Sequence, residues 1–172
     1  MITLKLRPSL QNYTSHEDII LISLSIFSNS ETEASMASNV VLHVVQSLNF
    51  GGVESRMKIV GLNSAVSKYD HRFCAIRNGG VIADQLITMN CPVTVLQYRS
   101  KIPSFTAILG LIRLIRAERP TIIHCHGAEA NFHGLIAGRI CRVQVCLAEE
   151  IGFPKHSWKA RKIFSQVYKL AD

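Results

Sequence analysis

The stretch Val40 to Glu54, VVLHVVQSLNFGGVE, decides how this chain folds. An apolar, largely β-branched run passes into a short polar loop, a glycine pair and a helix-like segment, so a strand feeds a turn of phosphate size. Gly51 and Gly52 permit positive φ and let a ligand approach the backbone without meeting a Cβ. The helix that follows offers unpaired N–H groups and a positive dipole end. Such a turn suits an anionic ligand. A plain tight loop is the alternative, because the full Gly-x-Gly-x-x-Gly spacing is not there.

Outward from this stretch, apolar β-type runs alternate with helix-like segments. The alternation predicts βαβ units, a parallel sheet and helices on both faces, an α/β Rossmann-like fold. Strands are expected near 40–46, 71–76, 93–97, 121–126 and 143–148. Helices are expected near 53–68, 79–90, 104–118, 128–140 and 157–170. In the helix at 104–118, Ile108, Leu111, Ile112, Leu114 and Ile115 cover one face, and Pro120 closes it. In the helix at 128–140, Ala130, Gly134 and Gly138 recur every four residues, a lean stripe that lets the helix backbone approach the sheet.

At 172 residues and 48% hydrophobic content the chain suits one well-buried core rather than two ordinary domains. The formal net charge of +7 favours anionic partners. The basic residues do not cluster with aromatics on one strand face, so nucleic acid is not expected as a partner. Five cysteines, with no Cys-x-x-Cys pair, sit mostly in apolar runs and read as small hydrophobes in a reducing, cytoplasmic compartment. Residues 1–38 shift from basic to apolar to Ser/Glu-rich and read as an extension, poorly ordered or weakly structured, ahead of a domain over 39–172. Its apolar run, Ile19 to Phe27, is far shorter than the about 20 residues a bilayer span needs. Without a basic region directly before it or a cleavage site after it, it is not expected to act as an export signal.

The second informative stretch is Pro120 to Gly127, PTIIHCHG. Strand alternation puts His124 and His126 on one side. His126 ends the strand, at the edge where ligands collect in open α/β sheets. His124, one pleat deeper, is expected to be a satisfied core histidine. A neutral imidazole hydrogen-bonding a substrate hydroxyl is the preferred use of His126. His-x-His with His133 gathering zinc is the weaker alternative, because no Asp, Glu or Cys at ligand spacing completes the set, and no metal is expected. A metal-dependent hydrolase barrel would need around 250 residues. At the end of the last strand, Glu150 is the candidate to hold a sugar hydroxyl or position a base, and Glu149 is expected to be solvated.

Joined in this order, Leu48-Asn49-Phe50-Gly51-Gly52-Val53-Glu54 and the later Ile122-Ile123-His124-Cys125-His126 with its Gly/Ala-rich helix resemble the amino-terminal domain of glycosyltransferase family 4, a two-Rossmann-domain GT-B architecture. The resemblance covers residues 40–172. It implies a retaining transfer of a sugar from a nucleotide-sugar donor to a lipid- or polysaccharide-linked acceptor. It places Gly51 and Gly52 beside the donor diphosphate or the reacting sugar and His126 on the transferred sugar. Glu54 matches the family's glutamate. No cofactor is implied beyond the nucleotide sugar as substrate. Two departures stand out: Glu149-Glu150 replaces the Thr-x-His or His-Gly element of many relatives, and the donor-binding second domain, with its Glu-x7-Glu motif, is not in the sequence. The chain alone is therefore expected to be inactive. A non-catalytic nucleotide- or phosphate-binding module is the alternative function.

The last helix carries an apolar stripe of Ala160, Ile163, Val167 and Leu170, extended by Phe164 and Tyr168. Trp158 falls instead with Lys162, Ser165 and Lys169. That face suits a peripheral membrane contact at the inner leaflet. A solvated face, or one covered by the second domain, is the competing expectation.

Overall fold

The computed structural model describes residues 39–98, 102–150 and 158–172. The expectations for residues 1–38 lie outside these. Five strands form one parallel sheet: β1 Val40–Ser47, β2 Asp70–Asn78, β3 Val93–Val95, β4 Ile122–His126 and β5 Val145–Glu149. Five α-helices connect or follow them: α1 Gly52–Leu62, α2 Val81–Thr88, α3 Phe105–Glu118, α4 Ala128–Ile140 and α5 Trp158–Val167. The Rossmann-like α/β expectation holds, with shorter α1 and α2 than the pattern suggested. A 3-10 turn at Ser64–Val66 ends the first helical segment early, and another at Tyr168–Leu170 tightens the last.

The strand order is β3-β2-β1-β4-β5. The chain first winds from β1 outward to β3, then returns to the other side of β1. Met57 of α1 and Ile82, Ala83 and Leu86 of α2 cover one face, over Val45, Phe73 and Ala75. On the opposite face, α3, α4 and α5 bury Leu42, Val44, Cys74, Ile76, Ile123, Cys125 and Cys146. Between β1 and β4 the connections leave in opposite directions and open a crevice at the carboxyl edge, where such sheets take their ligands.

The small-residue stripe of α4 does what its spacing predicts. A Cβ added to Gly134 would lie 2.3 Å from Cys125 Sγ, and one on Gly138 would lie 3.0 Å from Cys146 Sγ. The helix backbone thus rides directly on the two thiols. Burial pushes the Cys74 thiol up to about 12 and the Cys125 thiol higher still, so both act as packing groups. Helix α3 starts at Ser104, whose Oγ accepts the Ala107 N–H at 3.3 Å. His133 is fully buried; its Nε2 accepts the Ser104 N–H at 3.0 Å and its Nδ1 donates to the Glu129 carbonyl at 2.8 Å. It ties α4 to the start of α3 and takes no part in the histidine pair of β4.

The apolar stripe of α5 is rotated from its expected centre. Phe164 and Val167 are buried, whereas Ile163 is half exposed and Trp158 lies open. No helix among the described residues is long and apolar enough to cross a membrane.

Candidate functional site

Register builds the site. In the parallel pairing of β1 with β4, His43 lies beside His124 and Val45 beside His126; in that of β4 with β5, His126 lies beside Glu149. Alternation therefore sets His43, His124, His126 and Glu149 on one face, and His71, one strand further along β2, joins them.

Hydrogen bonds string these side chains into a line. Glu149 Oε2 accepts from His126 Nδ1 at 2.7 Å, His126 Nε2 faces His43 Nδ1 at 3.2 Å, and His43 Nε2 faces His71 Nδ1 at 2.9 Å. His71 Nε2 meets Ser67 Oγ at 3.0 Å, and the Tyr69 N–H donates to that same oxygen at 3.1 Å. Arg56, from α1, donates to Glu149. The carboxylate at one end sets one consistent direction when no ion is bound. Ser67 donates to His71, His71 to His43, His43 to His126 and His126 to Glu149, each ring neutral with one N–H.

Burial explains the neutrality. It holds the His43 imidazole down at about 3, with repulsion from His126, His124 and His71 adding to it. It holds His126 down at about 4, with His124 adding and the hydrogen bond to Glu149 opposing. His124 and His71 shift the same way, again through burial first. The Arg56 guanidinium keeps the Glu149 carboxyl below the usual carboxylate range, so the charge in this cluster sits on the pair at its mouth.

Several expectations change here. His126 is 5% exposed and both its ring nitrogens are engaged within the protein, so it is the buried member of the pair. His124, expected deeper, has a side chain 29% exposed, because among the described residues no helix covers this face of β4 as α1 covers β1. Glu149 is not a solvated residue but the hub of the cluster. Glu150 points to the other face, where it accepts from Tyr168 and from Asn131 at 3.3 Å. The glutamates have exchanged roles because β5 runs through Glu149, one residue past its expected end, which sets their alternation. His43, His71 and Arg56 escaped sequence reasoning, since a histidine in the middle of an apolar strand gives no local sign of what lies across the sheet.

The glycine pair also differs in how it works. Gly51 has an extended backbone, φ 163, that any residue adopts; a Cβ there would stand 2.4 Å from the end of the flexible Glu54 side chain, which would have to swing aside. A Cβ on Gly52 would meet nothing within 4 Å. Positive φ is used instead at Gly127, φ 85, which turns β4 into α4 and likewise has open space where a Cβ would be. Neither α1 nor α4 has a side-chain cap at its start.

The two helix starts flank a cavity of about 110 Å³ lined by Val45, Gln46, Val53, Glu54, His126, Gly127, Ala128 and Glu129. Glu54 accepts from Ser47 at 3.2 Å. Glu129 Oε1 is buried and has no hydrogen-bond partner among the described residues. Burial raises the Glu129 carboxyl, against the pull of Arg77 and the Gln46 amide. The cavity thus combines backbone donors at two helix starts with two carboxylates, one of them short of a donor.

Comparison with solved structures bears on the fold. The chain is similar to a protein from Listeria monocytogenes assigned as a UDP-N-acetylglucosamine 2-epimerase, with TM-score 0.51, 19% identity, and coverage of 79% of this chain and 38% of that one. It is similar also to another UDP-N-acetylglucosamine 2-epimerase, with TM-score 0.53, 14% identity, and coverage of 78% of this chain and 40% of that one. The likeness shows the fold, a GT-B-like Rossmann domain. The chain spans about two fifths of the length of these structures. No protein-family model matches it, and no curated protein does.

Proposed function

We propose that this chain is the amino-terminal half of a sugar-transferring enzyme of GT-B type, and that the crevice between β1 and β4 receives the sugar. The reaction in this reading is a retaining hexosyl transfer from a nucleotide-sugar donor to a lipid- or polysaccharide-linked acceptor. The observation that carries it is the cavity between the starts of α1 and α4, whose Glu129 Oε1 is buried without a donor among the described residues. Sugar hydroxyls supply donors to carboxylates and accept from backbone N–H groups, and this wall presents both. Gly52 and Gly127 leave the space for that approach. Two carboxylates make the same wall a poor place for a diphosphate, which by this reading belongs nearer a second domain. His126 acts by orienting Glu149 and backing the cavity, rather than by giving a ring nitrogen to the sugar. Glu150 holds β5 to α4 and contributes from behind.

The test is NMR of the labelled chain with UDP-N-acetylglucosamine, other UDP-hexoses and sugar-free UDP. The expected result is a saturable shift of the Gly52, Gly127 and Glu129 amides that needs the sugar. Equal shifts from sugar-free UDP would support the non-catalytic nucleotide-binding module instead, and no shifts at all would remove the site.

A further inference from the structure

Three imidazoles carried by neighbouring strands converge on one point of the sheet face. His43 of β1 and His124 and His126 of β4 each offer a ring nitrogen, and these nitrogens lie within 4.8 Å of one another. His43 Nδ1 and His126 Nε2 are 3.2 Å apart. That is close to the edge of a tetrahedron around zinc with Zn–N bonds of about 2.0–2.1 Å, roughly 3.3–3.4 Å.

We infer that His43, His124 and His126 form a binding site for a borderline divalent cation, with zinc as its occupant. Three imidazoles without oxygen ligands select zinc-like ions over magnesium or calcium. They leave a fourth position for water or a ligand oxygen, the arrangement of an open rather than a closed zinc site. The outer nitrogens are already supported as metal-bound histidines require: His126 Nδ1 on the Glu149 carboxylate, and His43 Nε2 on His71, which leans on Ser67. His124, half exposed, gives the ion its way in.

Entry of the ion asks for a small closing of the rings, since the three nitrogens lie within 4.8 Å of one another against a tetrahedral edge of roughly 3.3–3.4 Å, and for a shift of tautomers. Without metal, His43 donates through Nδ1 to His126. With metal, that proton leaves Nδ1 and His43 carries its one hydrogen on Nε2, donating to His71 Nδ1. His71 in turn moves its hydrogen to Nε2 and donates to Ser67 Oγ. Each of the three rings in the line, His71, His43 and His126, keeps one proton throughout, so charge balances with no release to solvent. His126 Nδ1–H stays on Glu149 in both states. This inference does not depend on the sugar-transfer reading.

The experiment is titration of the full, chelator-treated chain with cobalt(II), then zinc. One equivalent of cobalt should give the visible bands of a tetrahedral site, and zinc should displace it. On zinc binding, the tautomer signals of His43 in nitrogen-15 NMR should switch from Nδ1–H to Nε2–H. Glu149→Gln should weaken binding by about 10–100-fold. His124→Ala, at a half-exposed position where folding survives, should weaken it at least as much. Failure to see saturable cobalt or zinc binding would overturn the proposal. So would unchanged affinity in folded His124→Ala, which would put the ion on other histidines.

Discussion

His126 and His124 stand two residues apart on one strand, yet the protein asks different things of them. His126→Ala strips Glu149 and His43 of a partner in a buried place, and should cost about 2–3 kcal/mol in denaturant unfolding. His124→Ala removes a half-exposed ring and should cost under about 1 kcal/mol. Equal losses would mean that the hydrogen-bonded line contributes nothing. The same line predicts an acid-sensitive fold. A histidine whose folded pKa lies below its unfolded value leaves stability intact above that value and removes it as pH falls, because the unfolded chain takes a proton that the folded chain refuses. From the ordinary 6.5, the window runs down to about 4 for His126 and about 3 for His43. Each ring contributes a slope of up to about 1.4 kcal/mol per pH unit there. Denaturant midpoints should fall steadily on acidification through this window, less steeply in His126→Phe, and a flat profile would contradict the buried neutral rings.

At the level of the element, glycines that look alike in the sequence do opposite work. Gly134 is packed against Cys125, and Gly134→Ala should cost about 1–3 kcal/mol through overpacking. Gly52 opens onto free space at the first position of α1, so Gly52→Ala should leave stability unchanged or raise it by up to about 1 kcal/mol. Under the proposed function it should at the same time weaken sugar binding. Thermal melts of both variants separate the two roles; destabilisation by Gly52→Ala would show that the loop, not a ligand, needs that glycine. The stripe in α4 was legible because its period of four is a helical period. The close approach at Gly51 was not, because it comes from the Glu54 side chain folding back three residues later.

At the scale of the whole molecule, the proposed function makes this domain one wall of a cleft. It spans 38–40% of the two structures compared, and its face over β4 and β5 carries His124, Leu147 and Glu149 half-buried. Under the proposed function the isolated 172-residue chain should bind sugar but not transfer it. Incubation with nucleotide sugars and lipid-linked acceptors checks this, and turnover by the pure chain would demand a single-domain mechanism. The extension makes a separate case. Among the described residues both hydrophobic clusters lie between Leu42 and Ala171. If residues 1–38 are the extension that their composition suggests, deleting residues 1–35 should leave the denaturant midpoint where it was. A loss of more than about 1 kcal/mol would show that the segment packs on the sheet.

The sequence by itself determined the parallel α/β architecture, the place of the described strands and helices to within a few residues apart from the early end of α1, and the two strand ends that frame the crevice. These rest on periodicities of 2 and 3.6 residues and on breakers such as Pro120, which act within one element and so are written locally. Only the tertiary structure decided which side chains make the site. His43 meets His126 across 83 residues of chain, and His126 meets Glu149 across 23, because strand register set them side by side. A shift of one residue in that register would turn each of them to the opposite face, so no local pattern could announce a cluster that exists only when three strands pair.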